Sequence, residues 1–182
     1  MNKDKIRNYL LNQRNNVKNR TTKENLITNK LERLVLKKKE AISGYIPCKS
    51  EVNVFSFFKK LSAKKFSICY PFILKNNHYL LFKEWIYGKT KLVSGKFNIP
   101  TPQNKKFLLP DVLFIPLVGF DIERNRIGYG GGFYDRTLIF LNTKKKILSI
   151  GVAFDEQEYK SIPVEKTDIK LDIIVTQTRM IK

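Results

Sequence analysis

Arg126-Ile127-Gly128-Tyr129-Gly130-Gly131-Gly132-Phe133-Tyr134-Asp135 is the most informative stretch of this 182-residue chain. Five of the nine glycines fall between Gly119 and Gly132. Glycine lets a backbone take positive φ and approach a ligand with no Cβ in the way. A loop of this kind can turn several N–H groups toward phosphate oxygens. Arg126 in front of it adds charge, and Asp135 behind it is placed to hold a metal ion. On composition alone a tight structural turn remains the alternative.

The surrounding pattern alternates. Upstream, Val112 to Leu117 is apolar enough for a central strand, and downstream Tyr134 to Leu141 has helical character. Ile147 to Phe154 and Ile173 to Thr176 read as the last strands. Toward the N-terminus, Lys3 to about Val17 reads as a basic helix with Ile6, Leu10 and Leu11 on one side. Thr21-Thr22-Lys23-Glu24 has the form of a capping box, so a second helix should follow with Ile27, Leu31, Leu34 and Val35 inward. Ala41 to Ile46 suits a short strand. Ser50 is a candidate N-cap for a third helix facing inward with Val54, Phe55, Phe58 and Leu61. Phe66 to Tyr70 reads as a buried strand ending at Pro71, and Tyr79 to Trp85 as its return after the Asn76-Asn77 turn. Tyr87 to Phe107, with Pro100 and Pro102, is expected to be irregular. Strands alternating with helices argue for an α/β fold: a mixed, mostly parallel sheet flanked by helices in a Rossmann-like three-layer arrangement. Ligands of such sheets bind beyond the carboxyl ends of strands, where the glycine loop is expected.

Length points to one domain over residues 1–182, and a hydrophobic fraction of 42% is enough for a core. Cys48 and Cys69 form no zinc spacing and no disulfide framework, so two free thiols in a reducing cytosol are expected. No apolar run approaches the roughly 18–20 residues that span a bilayer, and Met1 to Arg14 lacks a secretory segment. A soluble cytoplasmic protein is the expectation. The formal net charge of +19 attracts anions, although dispersed lysines also make a merely solvated surface.

Two nucleotide motifs fail. Gly88-Lys89-Thr90 has the end of a Walker A loop, but Lys83 stands where its first glycine must be. G-x-G-x-x-G started at Gly128 meets Phe133.

The segment Asp111 to Asp121 followed by Arg126 to Arg136 resembles the 5-formyltetrahydrofolate cyclo-ligases, also called methenyltetrahydrofolate synthetases. Lys3-Asp4-Lys5-Ile6-Arg7 fits the K-x-x-x-R near the family's start, and Glu51-Val52-Asn53 fits its Glu-Val-Asp/Glu helix start. Gly151 to Asp155, Gln157, Pro163 and Asp168 to Asp172 fit its closing segment. Phe133 stands where the family often has Tyr, and Ile99-Pro100-Thr101-Pro102 lacks an acid often found there.

The resemblance implies an enzyme that uses ATP and Mg²⁺ to turn 5-formyltetrahydrofolate into 5,10-methenyltetrahydrofolate, releasing ADP and phosphate through a phosphorylated formyl oxygen. It implies ATP contacts at Lys3, Arg7, Arg126, Gly128, Tyr129, Gly130, Gly131, Gly132, Phe133 and Tyr134, with Arg126 and Tyr134 at the chemistry. Folate contacts fall at Arg7, Ile46, Glu51, Tyr129, Gly130, Gly131, Gly132 and Phe133, and Mg²⁺ ligands at Asp135 and Asp168. Taken alone, Lys3 and Arg7 are two cations on one helix face, and Glu51 is an acid suited to a first helical turn. Asp155 and Asp172 are read as structural, and His78 as a surface residue. Trp85 and Phe97 suit either core or folate pocket. The basic charge adds the expectation that polyglutamylated folate is favoured. A monomer without membrane or specific nucleic-acid partner is expected. The rival readings are a basic nucleic-acid-binding module, from twelve Lys/Arg against four acids in residues 1–40, and a non-catalytic nucleotide-binding homologue.

Overall fold

The computed structural model describes residues 2–34 and 39–182. Val35, expected on the second helix's inner face, lies outside them. Helix α1 (Lys3–Asn15) starts where the Asn2 side chain accepts from the Lys5 N–H at 3.0 Å, and its buried stripe is Ile6, Leu10 and Arg14. Helix α2 (Arg20–Leu31) follows, then strand β1 (Ala41–Ser43), helix α3 (Phe55–Ala63), strand β2 (Ser67–Phe72) and strand β3 (Leu81–Trp85). A hairpin of β4 (Leu92–Ser94) and β5 (Pro100–Pro102) comes next. Strand β6 (Val112–Pro116) leads into a second small hairpin, β7 (Gly119–Phe120) and β8 (Arg126–Ile127). Helix α4 (Phe133–Asn142), β9 (Leu148–Val152), β10 (Ile173–Val175) and β11 (Met180–Ile181) complete the order.

Seven strands make the main sheet in the order β11-β10-β9-β6-β1-β2-β3. The strands from β10 to β2 are parallel, and β11 and β3 run antiparallel at the two edges. Alternate residues of β6 feed opposite faces, as a strand buried on both sides requires. Val112 and Phe114 join Ile27, Leu31, Phe57, Phe58 and Leu61 from α2 and α3. Leu113 and Ile115 join Leu138 and Leu141 from α4. The three expected layers are therefore present, in a mixed, mostly parallel α/β sheet. Helix α1 packs separately, through Ile6 and Leu10 against Val118, Ile127 and Ile162.

Several local expectations are corrected. The capping box does not form. Asn19 takes a left-handed conformation (φ 51°) and α2 begins at Arg20, so Thr21 lies inside the helix. Glu24 instead accepts from the Asn53 N–H at 2.9 Å and pairs with Arg20 at 3.3 Å. Ser50 caps nothing: its hydroxyl holds Arg14 and Asn15, while the Asn53 side chain accepts from the Phe55 N–H at 3.1 Å to start α3. Strand β2 continues through Pro71, where β1 no longer runs alongside and a missing N–H breaks no ladder on that side. The region read as irregular contains β4 and β5, and β5 holds both prolines in a two-stranded pairing. Among the described residues no helix is long and apolar enough to cross a membrane.

Candidate active site

From β1 the chain moves outward to β2 and β3, then returns to place β6 on β1's other side. The carboxyl ends of β1 and β6 thus diverge at the point where strand order reverses, which is where open α/β sheets form crevices. A cavity of about 1000 Å³ sits there, with Tyr45 and Ile46 beyond β1 and Ile115 and Pro116 of β6 in its floor.

All fourteen residues singled out from the sequence line this one cavity: Lys3, Arg7, Ile46, Glu51, Arg126, Gly128, Tyr129, Gly130, Gly131, Gly132, Phe133, Tyr134, Asp135 and Asp168. Helix α1 brings Lys3 and Arg7 to it from one turn to the next. The β7–β8 hairpin places Arg126, and the glycine loop crosses the mouth largely exposed before α4 begins. Two loop glycines are dictated by geometry. Gly130 has φ 96°, and a Cβ there would lie 3.5 Å from the Arg7 guanidinium carbon. Gly132 has φ 62°, and its Cβ would lie 2.5 Å from Arg136 Nη1. Arg7 also donates from Nε to the Gly128 carbonyl at 2.8 Å, which ties α1 to the loop.

One wall is a mesh of ion pairs. Lys3 Nζ lies 2.5 Å from Asp168 and 3.0 Å from Glu165, and its pKa is raised by those two carboxylates despite the opposing cost of burial. Arg126, with its side chain 6% exposed, donates to Asp135 Oδ1 at 2.6 Å and to the Ile169 carbonyl. Burial pulls the Arg126 pKa down while Asp135 and Asp168 oppose that pull. Asp135 Oδ1 also accepts from the Ile169 N–H at 3.3 Å, and Asp168 Oδ2 from the Glu165 N–H at 2.7 Å. Asp135 Oδ2 and Asp168 Oδ1 have no hydrogen-bond partner among the described residues. Two carboxylates of one cavity lining that each have an oxygen without a hydrogen-bond partner fit a hard cation that takes its remaining ligands from phosphate and water.

The other wall holds Glu51, 8% exposed. Its Oε2 accepts from the Cys48 N–H at 2.8 Å, and Arg14 and Lys49 attract it, yet burial prevails and lifts its pKa to about 7. The Tyr45 and Tyr134 hydroxyls are pushed well up, chiefly by burial and then by the charge of Glu51.

Two lining residues, Lys49 and Arg136, and the buried Arg14 behind the lining escaped the sequence reading. Arg14 is fully buried and reaches three elements: Nη1 to the Leu117 carbonyl at 2.9 Å, Nε to Ser50 Oγ at 3.0 Å, and Nη2 to the Tyr129 hydroxyl. The signal for it was present, because Arg14 continues the inward i, i+4 stripe of Ile6 and Leu10. Lys49 lies 5.2 Å from the Tyr129 ring centre, and Arg136 lies 5.3 Å from that of Phe133. Of the two ambiguous aromatics, Trp85 is core, packed on Phe55 and Tyr70, while Phe97 stands at the cavity rim 6.4 Å from Phe133. Asp172 is structural, accepting from the Ser149 N–H and hydroxyl at 2.7 Å each. His78 lies outside the cavity lining.

The chain matches the model of the 5-formyltetrahydrofolate cyclo-ligase family over residues 1–177. It is 40% identical over 114 residues to a 5-formyltetrahydrofolate cyclo-ligase of Haemophilus influenzae, a match covering 59% of this chain and 58% of that protein. The chain thus spans less than two thirds of that relative. Two solved structures are similar over nearly the whole chain. A 5,10-methenyltetrahydrofolate synthetase from Aquifex aeolicus superposes with TM-score 0.83 at 27% identity, covering 99% of this chain and 92% of that one. One from Mycoplasma pneumoniae gives 0.77 at 26%, covering 97% and 99%.

Proposed function

The chain belongs to the 5-formyltetrahydrofolate cyclo-ligase family, and from that premise we propose that residues 1–182 act as one domain that converts 5-formyltetrahydrofolate to 5,10-methenyltetrahydrofolate at the expense of ATP. The observation that carries this reading is one cavity in which a glycine loop, the cations Lys3, Arg7 and Arg126 and the carboxylates of Asp135 and Asp168 meet the buried Glu51. A formyl oxygen on nitrogen is a poor leaving group. Transfer of the γ-phosphoryl group to it gives an iminium phosphate. N10 then attacks the formyl carbon, the ring closes, and the C–O bond breaks to release phosphate. Such a sequence depends on positioning and charge neutralisation more than on covalent participation by the protein.

In this reading the N–H groups of Gly128 to Gly132 and the cations Lys3, Arg7 and Arg126 hold the triphosphate. Asp135 and Asp168 hold Mg²⁺, which supplies positive charge to the phosphate oxygens. Arg126 and Tyr134 lie at the transferred group. Glu51 accepts hydrogen bonds from the donor edge of the pterin, and Ile46 packs on the ring. Arg7 and Tyr129 to Phe133 contact both ligands. The chain's net charge of +19 favours the acidic tail of polyglutamylated folate. The free thiols Cys48 and Cys69 suit a protein working in a reducing cytoplasm.

The test is direct. The full chain mixed with 5-formyltetrahydrofolate, ATP and Mg²⁺ should generate the near-UV absorbance of the methenyl product together with one ADP per turnover. ATP binding without that absorbance would leave only a nucleotide-binding homologue. Salt-sensitive RNA or DNA binding without turnover would favour the nucleic-acid reading.

A further inference from the structure

Cations lining the cavity fall into two groups. Lys3, Arg7 and Arg126 each have a carboxylate partner, Asp168 and Glu165, Asp4, and Asp135 respectively. Arg136, Lys49 and Lys96 line the same cavity with no such partner within 4 Å among the described residues, and of these three it is Arg136 that hydrogen-bonds to the backbone of the glycine loop. Its Nη2 donates to the Gly131 carbonyl at 2.6 Å, so the guanidinium lies directly on the glycine loop. The plane sits over Phe133, with its centre 5.3 Å from that ring. Its Nε is buried and has no hydrogen-bond partner.

This placement is unfavourable for a protein standing alone. A buried N–H donor without a partner costs free energy. The cation also occupies the fourth residue of α4, close to the helix end that carries partial positive charge. No acid offsets it. An anion in the loop would remove each of these costs. A phosphate suits the site better than a carboxylate, because the loop's N–H groups and the paired cations of the same wall already form a polyanion cradle.

We propose that Arg136 is a further phosphate-binding residue of this cavity, contacting the oxygens of the nucleotide's polyphosphate directly. Guanidinium is suited to the task, since its rigid fork can keep the Gly131 carbonyl with one N–H and give others to phosphate. Nη1 lies 2.5 Å from the Cβ position of residue 132, so a side chain there would displace this guanidinium from the loop. The proposal rests on the reading that the cavity takes ATP, but it can be tested without turnover.

Calorimetric titration of the full chain with inorganic tripolyphosphate, and separately with ATP, should give affinities for wild type, Arg136→Gln and Arg136→Lys. Arg136→Gln keeps a donor for the Gly131 carbonyl and removes the charge. It should weaken both ligands about tenfold or more at an unchanged thermal midpoint, and Arg136→Lys should regain most of the loss. Wild-type affinity in Arg136→Gln would overturn the proposal. So would equal losses in both variants, which would make the residue a loop support. A selective loss of folate affinity with tripolyphosphate unaffected would also overturn it, by moving the contact to the folate carboxylates. Turnover by wild type with unchanged phosphate binding in Arg136→Gln removes this contact alone. Arg136-dependent phosphate binding without methenyl product removes the proposed reaction alone.

Discussion

Around Asp168 the cavity wall is a mesh of opposite charges, whereas around Glu51 a single carboxylate sits among tyrosines. In the first region each of two acids is matched by a cation at 2.5–2.6 Å, Lys3 for Asp168 and Arg126 for Asp135. In the second, Arg14 and Lys49 act on Glu51 only through space, and burial lifts its pKa to about 7. The contrast teaches how one crevice can serve two ligands. A paired network offers both cations and carboxylates to one ligand and suits a highly charged one. A lone, desolvated carboxylate pairs best with a neutral ring that offers N–H donors, and its charge depends on pH.

The largest effect should come from unbalancing the paired wall. Asp135→Asn leaves a buried guanidinium without its acid and removes one of the two carboxylates. Turnover should fall roughly 100-fold or more, and urea titration should show about 1–3 kcal/mol of lost stability. Activity close to wild type would show that the pair is scaffolding.

A smaller effect is expected at the lone acid. Glu51→Gln should raise KM for 5-formyltetrahydrofolate about 10–100-fold while leaving tripolyphosphate affinity unchanged. The sign of its pH dependence follows from a folded-state pKa of about 7 against an ordinary 4.5. The folded protein holds this proton more tightly than the unfolded chain does. Stability from this group is therefore full below pH 4.5 and is lost as pH rises through 7. Glu51→Gln should accordingly be more stable than wild type at pH 8, with the gain fading toward pH 4.5. Folate KM in the wild type should rise below pH 7 as the carboxylate protonates, and the variant should lack that limb. Arg14→Met should shift the limb to higher pH, since Arg14 holds the Glu51 pKa down.

The smallest effect belongs to the contact that joins the two regions. Tyr129→Phe removes only the hydroxyl that accepts from Arg14 and keeps the ring beside Lys49. Initial rates should change by no more than about fivefold, which corresponds to the roughly 1 kcal/mol typical of one hydrogen bond. A larger loss would mean that the two walls work as one unit.

These regions were not equally legible in the sequence. The glycine loop announced itself because φ 96° at Gly130 strongly favours glycine and φ 62° at Gly132 lies in the left-handed region that glycine enters most readily. Strands β6 and β9 were legible from apolar runs, and α1 from its stripe. Glu51 was visible only through the resemblance to a family, because nothing local distinguishes a buried glutamate from an exposed one near a helix start. Arg14 and Arg136 went unread for the opposite reason: in a chain with 35 Lys and Arg, one more cation carries little information. The β4–β5 hairpin was hidden by Pro100 and Pro102, which read as breaks although a pairing of only two strands tolerates them. Caps failed in the same way. Ser50 and Thr21 have suitable side chains, but long-range partners and a left-handed Asn19 decided where the helices begin.

Lys3 meets Asp168 across 165 positions of chain. During synthesis Lys3 must wait for a residue made 165 positions later before this ion-paired wall exists. A chain that stops short of Asp168 would lack this pairing, and an anion bound at the completed wall would stabilise only chains that hold both residues.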